Sequence, residues 1–136
     1  MSFGGFIRRT LFWRNDSKTN DGFIREQYNQ INKSLADPSY TENLQKHYLA
    51  AMLEYMTTHS SYYSSFHSVA DLKLFPVMTK QDLIAHHDEM AIDPSVIPYQ
   101  KGDLYIQKTS GSTGIPFSMP QDTRKRQRRI AAIKAF

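Results

Sequence analysis

The stretch that decides the fold is Thr109-Ser110-Gly111-Ser112-Thr113-Gly114-Ile115-Pro116-Phe117. Before this stretch, Leu104 and Ile106 alternate with polar or amphipathic residues. Ile115 and Phe117 at its carboxyl end and Met119 just beyond it alternate in the same way. A two-residue period is typical of a strand, and two such segments around a Ser- and Gly-rich stretch predict a β-hairpin. The rest of the chain has a different period, so this hairpin separates a long helical region from one last helix.

The connection between the two predicted strands has the composition of an anion-binding loop. Gly111 and Gly114 allow the backbone to adopt a positive φ and lack the Cβ atoms that would keep a bulky anion from the main-chain N–H groups. Four hydroxyl side chains can donate hydrogen bonds to phosphate oxygens, and Lys108 adds a positive charge. The spacing matches neither the Walker A loop nor the Gly-x-Gly-x-x-Gly dinucleotide loop. From these residues alone, a polyphosphate site and an ordinary Ser/Gly-rich turn are both open.

Helical periodicity dominates the chain before the hairpin. It predicts a helix over Phe23–Leu35, a second that begins with a Ser39/Glu42 capping box and carries Leu44, Tyr48, Met52 and Tyr55, and a third over Lys80–Met90, capped by Thr79 and Asp82. Asp122 or Thr123 is expected to cap a last helix. The fold class expected is mixed α/β, mainly helical, with one hairpin. The segment Phe3–Trp13 is expected to pack its aromatic side chains onto its own domain, with a membrane-surface helix as the alternative.

Charge and composition narrow the classes of function. The 136 residues carry a formal net charge of +4, but six of the 17 Lys and Arg and only one of the 13 acidic residues lie in residues 121–136. The chain has no Cys, which excludes disulfides and thiolate chemistry. It has no signal-peptide core and no apolar run of membrane-spanning length, so a cytoplasmic protein without membrane partners is expected.

The nine residues quoted first resemble the phosphate-binding signature of adenylate-forming enzymes, the superfamily of acyl-CoA synthetases, luciferases and peptide-synthetase adenylation domains. Phe117 stands where many members have Lys, a departure common in the phenylacetate-CoA ligase and CapK-type branch. Other segments resemble the amino-terminal region of that branch in the same order: Leu11-Phe12-Trp13, Ile24-Arg25 with Tyr28 and Ile31, a helix ending near Tyr62-Tyr63, and Phe75-Pro76-Val77-Met78-Thr79-Lys80.

This resemblance implies an ATP-dependent ligase that activates a carboxylic acid as acyl-AMP and then forms a thioester with coenzyme A, with a capsule-polysaccharide role in the CapK case. The phosphates of ATP, bound with Mg²⁺, would be held by Thr109, Ser110, Gly111, Ser112, Thr113 and Gly114. Residues 1–102 would form a helical amino-terminal region, and residues 103–136 the start of an incomplete ATP-binding α/β core.

The resemblance also implies that several functional groups are missing from these 136 residues. The family's adenine-contacting segments, acidic metal ligand, ribose-binding Asp and catalytic Lys all come later in sequence than the loop. No catalytic residue and no metal ligand is therefore assigned in this chain, which is expected to be an amino-terminal fragment that is inactive by itself.

The remaining candidates favour simpler interpretations. The five His residues show no metal-ligand spacing, and the adjacent Asp88 and Glu89 do not face each other on a helix. The run Arg124, Lys125, Arg126, Arg128 and Arg129 supports the main alternative, a small helical module that binds nucleic acid or a protein partner through its basic carboxyl-terminal helix. No aromatic residue lies within this run, so a stacking platform for single strands is missing and nucleic acid is the less favoured partner.

Overall fold

A computed structural model describes residues 3–66, 71–108, 116 and 118–136. Within these ranges the chain is mostly helical, with one two-stranded antiparallel sheet. The helices are α1 (Phe3–Thr19), α2 (Phe23–Ala36), α3 (Pro38–His59), α4 (Lys80–Ala85), α5 (His87–Met90) and α6 (Thr123–Ala135), and the strands are β1 (Tyr105–Lys108) and β2 (Ser118–Gln121). Short 3₁₀ turns cover Ser64–Phe66, Leu72–Leu74 and Pro94–Val96. The predicted class, mixed α/β and mainly helical with one hairpin, is confirmed for this part of the chain.

The described residues group into two compact units. The first comprises Met1–Thr41 with Thr123–Phe136, and the second comprises Glu42–Asp122. The boundary falls within α3. This grouping differs from the predicted division at residue 102, which concerns the order of segments in a longer enzyme and stays a prediction.

The first unit is built by α1, α2 and α6. Its buried apolar side chains are Ile24 of α2 and Ala131 of α6. Two polar residues, Asp16 of α1 and Gln127 of α6, are buried beside them. Asp16 accepts hydrogen bonds from the Ile24 and Arg25 N–H groups in the first turn of α2, and the Gln127 side-chain amide donates to the Asn20 side-chain oxygen in the α1–α2 connection. The interior of this unit therefore depends on polar contacts as well as apolar packing.

The second unit contains most of α3, the short helices α4 and α5, and the hairpin. Leu53 and Thr57 of α3 are buried, whereas Tyr48 and Met52 are about half exposed. The predicted apolar stripe through Tyr48 and Met52 therefore does not mark the buried face of α3. Thr57 can lie on the buried face because its hydroxyl donates a hydrogen bond to the Leu53 carbonyl at 2.9 Å, so this polar group is satisfied without water.

The amino terminus of α3 corrects a second prediction. The Ser39/Glu42 capping box does not begin this helix, which already starts at Pro38. Instead, the Asp37 carboxylate accepts hydrogen bonds from the Ser39 N–H at 3.0 Å and the Tyr40 N–H at 3.1 Å. Asp is among the preferred N-caps and Pro the preferred first helical residue, so the Asp37-Pro38 pair both ends α2 and begins α3.

The third predicted helix is two helices. Its Thr79/Asp82 capping box is confirmed, with each side chain bonded to the other residue's backbone N–H. The backbone leaves helical geometry at His86, at φ −109° and ψ 22°, and helix resumes over His87–Met90. Leu83, His87 and Met90 nevertheless line one cavity, as expected of residues on one face.

Candidate phosphate-binding hairpin

The six residues predicted to bind phosphate, Thr109, Ser110, Gly111, Ser112, Thr113 and Gly114, lie outside the described residues, as do Ile115 and Phe117. The structure describes the two strands to which this segment is joined. Lys108 is the last residue of β1, Ser118 is the first of β2, and the two are Cα partners in the antiparallel register. Partners in such a ladder have Cα atoms about 4.5–5.5 Å apart. The nine residues between them therefore begin and end at adjacent points.

The strand pair is held by its register and by a side-chain contact across it. The register runs from Tyr105 opposite Gln121 to Lys108 opposite Ser118. The Gln121 side-chain amide donates to the Gln107 side-chain oxygen. All four residues of β1 are exposed. Lys108 therefore presents its ammonium group to solvent where the strand ends.

A cavity of about 230 Å³ lies between the hairpin and the short helices of the same unit. Leu83, Met90 and Ala91 line it from the helical side, and Ser118, Met119 and Pro120 line it from β2. His87 is the titratable group at its wall, and its Nδ1 lies 2.9 Å from the Asp88 carboxylate. The first residues of β2 therefore line a cavity whose opposite wall is largely apolar.

The carboxyl group of Asp82 takes part in capping α4, the helix that contributes Leu83 to this cavity. The Thr79 hydroxyl donates to it at 2.6 Å and the Thr79 N–H at 2.8 Å. These bonds, the hydroxyl contributing most, hold the pKa of Asp82 below its ordinary value, because they stabilise the ionised carboxylate. Asp82 is thus engaged in capping α4.

In the basic run on α6, one side chain packs against another helix and four side chains are exposed to solvent. The Arg124 guanidinium carbon lies 3.9 Å from the centre of the Phe23 ring, and its Nη1 donates to the Gln127 side-chain oxygen at 2.9 Å. Lys125, Arg126, Arg128 and Arg129 are exposed. Arg124 therefore belongs to the contact between α2 and α6. Its stacking partner could be recognised from the sequence only if the pairing of the two helices were known.

The sequence interpretation missed a second concentration of charge, which lies in the first unit. Arg8 and Arg9 of α1 and Lys134 of α6 line an open groove of about 590 Å³ together with the rings of Phe12, Trp13 and Tyr28. We call this the basic groove. The spacing of Arg8 and Arg9 from Phe12 and Trp13, four residues in each case, is the signal that places them on one helix face. Lys134 joins them from the far end of the chain.

Within the part of the chain that the structure describes, no three His, Asp or Glu side chains are grouped so that they could hold a metal ion. His86 and His87 each contact one acidic side chain, Glu89 at 3.2 Å and Asp88 at 2.9 Å.

Among the same described residues, no helix is both long and apolar enough to span a membrane. The exposed apolar residues of α1, such as Phe6 and Leu11, lie on the same helix as Arg8 and Arg9.

Compared with protein-family models, with curated proteins and with solved structures, this chain gives no match.

Proposed function

We propose that this chain forms the amino-terminal part of an ATP-dependent adenylate-forming ligase similar to phenylacetate-CoA ligases and CapK-type proteins. Residues 109–114 would contact the β- and γ-phosphates of MgATP. The full enzyme would activate a carboxylic acid as acyl-AMP with release of pyrophosphate. The thiol of coenzyme A would then attack the acyl carbon, forming the thioester and releasing AMP. A role linked to capsule polysaccharide belongs to the CapK form of the same proposal.

One observation carries this proposal beyond the sequence motif. Lys108 and Ser118 are partners in the antiparallel register, so the nine-residue segment between them is tied to a strand at each end. A segment anchored in this way loses less conformational entropy on closing around a ligand than a free chain would. This anchoring suits a segment that must surround several phosphate oxygens.

The chemistry of the segment fits the charge that adenylation creates. Attack of a carboxylate on the α-phosphorus expels pyrophosphate, and negative charge grows on the departing group. Backbone N–H groups, hydroxyls and a nearby ammonium group stabilise such charge when they are positioned before the reaction. The attacking carboxylate is already ionised near neutral pH and needs no general base. Mg²⁺, bound with ATP, would neutralise part of the phosphate charge.

A binding measurement tests the proposal on the 136-residue chain. MgATP is titrated against the wild type and against a Gly111→Val/Gly114→Val variant, with heat of binding as the readout. The added side chains would block close approach of phosphate to the backbone, and loss of two or more charge-assisted hydrogen bonds predicts a weakening of at least about tenfold at this site. The wild-type chain is expected to give no ATP–pyrophosphate exchange.

The matched control adds the same two side chains elsewhere. Ala50 and Ala51 are exposed on α3, so Ala50→Val/Ala51→Val should leave binding unchanged. Equal affinity of the glycine variant and the wild type would remove the assignment of this segment. Exchange activity from the 136 residues alone would show that they hold catalytic groups the proposal places elsewhere.

A further inference from the structure

Among the described residues that line the basic groove, three side chains are cationic and none is acidic. Arg8 and Arg9 lie on α1 and Lys134 on α6, and all three side chains are exposed. No acidic residue occurs between Phe3 and Asn15. The ion pairs of Lys46 with Glu42, His86 with Glu89 and His87 with Asp88 involve side chains outside the groove. The groove therefore presents positive charge that its own carboxylates do not neutralise, which favours an anion.

Flat rings form the rest of the wall. The ring centres of Phe12 and Trp13 lie 4.8 Å apart in an edge-to-face arrangement, and those of Trp13 and Tyr28 lie 5.3 Å apart. The Lys134 ammonium lies 3.9 Å from the centre of the Phe12 ring. All three rings are only partly buried, so each keeps surface that a ligand can contact. A flat, unsaturated ligand would pack well against them.

We propose that the basic groove binds a phosphorylated nucleoside. Its base would pack against the rings of Trp13 and Tyr28, and its phosphates would bind Arg8, Arg9 and Lys134. Guanidinium groups bind phosphate oxygens in pairs, and base–aromatic stacking contributes about 1–3 kcal/mol per base in nucleic-acid complexes. The volume of about 590 Å³ falls in the range of small-molecule sites, about 300–1,000 Å³.

This site is distinct from the proposed phosphate-binding segment. The groove belongs to the unit formed by Met1–Thr41 and Thr123–Phe136, whereas the strands β1 and β2 that flank the segment belong to Glu42–Asp122. Each can therefore be tested by variants that leave the other unchanged. The groove proposal does not depend on the ligase proposal.

Trp13 provides a direct readout, because it is the only tryptophan in the chain. ADP is the probe, titrated without metal while tryptophan fluorescence is recorded and affinity is measured in parallel by calorimetry. Stacking on Trp13 should give saturable quenching. Adenosine, which lacks phosphate, and inorganic pyrophosphate, which lacks the base, should each bind at least about tenfold more weakly than ADP, since each loses one of the two kinds of contact.

Two variants test the positive charges of the groove and its open volume. Arg8→Gln/Arg9→Gln should weaken ADP binding by at least about tenfold, because two guanidinium–phosphate contacts are lost. Its matched control is Arg14→Gln/Lys18→Gln, which removes the same charge from exposed positions of the same helix that do not line the groove. Gly5 also lines the groove, and a Cβ added there meets no atom within 4 Å. Gly5→Phe should therefore be accommodated without a clash at its Cβ and should weaken ADP binding by occupying part of the groove.

The loop variant separates the two proposals. ADP should still quench Trp13 in Gly111→Val/Gly114→Val, whatever that variant does to MgATP binding. The proposal is overturned if Arg8→Gln/Arg9→Gln and Arg14→Gln/Lys18→Gln bind ADP equally, or if quenching is lost in the loop variant and kept in the groove variant. Binding of a short single-stranded RNA without any binding of ADP would also overturn it.

Discussion

The carboxylate of Asp16 holds the amino terminus of the following helix. It lies almost fully buried in α1 and accepts hydrogen bonds from the Arg25 N–H at 2.9 Å, the Ile24 N–H at 3.3 Å and the Asn20 side-chain amide at 3.2 Å. The residue at the N-cap position of α2 is Gly22, which has no side chain to cap the helix. Asp16 therefore supplies from the preceding helix the acceptor that an N-cap side chain would supply.

Replacing Asp16 by Ala is expected to destabilise the chain by about 1–3 kcal/mol, because the buried Ile24 N–H and the partly buried Arg25 N–H lose their acceptor. Urea unfolding followed by circular dichroism measures this loss. Asn15→Ala, at an exposed neighbouring position, should change the stability by no more than about 0.5 kcal/mol. If the two variants were equally stable, the capping role of Asp16 would be wrong.

At the level of secondary-structure elements, the sequence predicted which segments are helical better than it predicted how they begin. The Thr79/Asp82 box was recognisable because both partners are three residues apart and directly precede an apolar pattern. Asp37 was less visible, since Ser39 and Glu42 match the same pattern two residues later. Asp16 was invisible, because it caps a helix that begins seven residues after it.

Three short-range caps share one electrostatic property. Two of them are Asp37 and Asp82, and the third is Asp93, whose carboxylate accepts from the Ser95 N–H at 2.8 Å at the start of the 3₁₀ turn Pro94–Val96. In all three, hydrogen bonds hold the pKa of the carboxyl group below its ordinary value of 3.8. The largest contributions come from the Tyr40 N–H, the Thr79 hydroxyl and the Ser95 N–H, respectively. A lowered pKa in the folded state means that the contribution to stability is complete above the unfolded-state pKa. This contribution is lost as the pH falls through the folded-state values.

Acid sensitivity should therefore decrease when these three residues no longer titrate. Each caps through one carboxylate oxygen, so Asn can keep the hydrogen bonds. We expect the urea midpoint of the wild type to fall more steeply than that of Asp37→Asn/Asp82→Asn/Asp93→Asn as the pH is lowered from about 6 to about 3. Parallel curves for the two proteins would contradict the assignment.

At the scale of the whole molecule, the sequence predicted local structure but not the pairing of distant segments. The contact between α6 and the α1–α2 connection includes the hydrogen bond that the Gln127 side-chain amide donates to the Asn20 side-chain oxygen, at 2.7 Å and across more than a hundred residues of chain. The apolar residues of α6 with helical spacing are Ile130 and Ile133, followed by Phe136, but Ile133 and Phe136 are largely exposed. A buried Gln and a buried Ala leave no apolar periodicity, so no helical pattern could have identified this face of α6.

The candidate sites show the same limit. The phosphate-binding role of residues 109–114 stays a prediction, which could be made because these residues are contiguous in sequence. The strand Tyr105–Lys108 begins within one residue of the alternation predicted from Leu104, whereas Ser118–Gln121 begins three residues after Ile115, the start of the second predicted alternation. The basic groove could not be predicted from the sequence, because Tyr28 of α2 and Lys134 of α6 line it together with residues of α1. Sites assembled from separate helices require the packing of those helices to be known.

The central claim is that residues 109–114 bind the phosphates of ATP, and backbone-amide NMR tests it most directly. Inorganic pyrophosphate is titrated into the isotopically labelled 136-residue chain, and amide shifts are followed residue by residue. We predict that the amides of Thr109 to Gly114 shift saturably, with Lys108 and Ser118 as the outer limits, and that these shifts disappear in Gly111→Val/Gly114→Val. Amides of Thr109 to Gly114 that stay in place while the basic residues of α6 respond would contradict the claim.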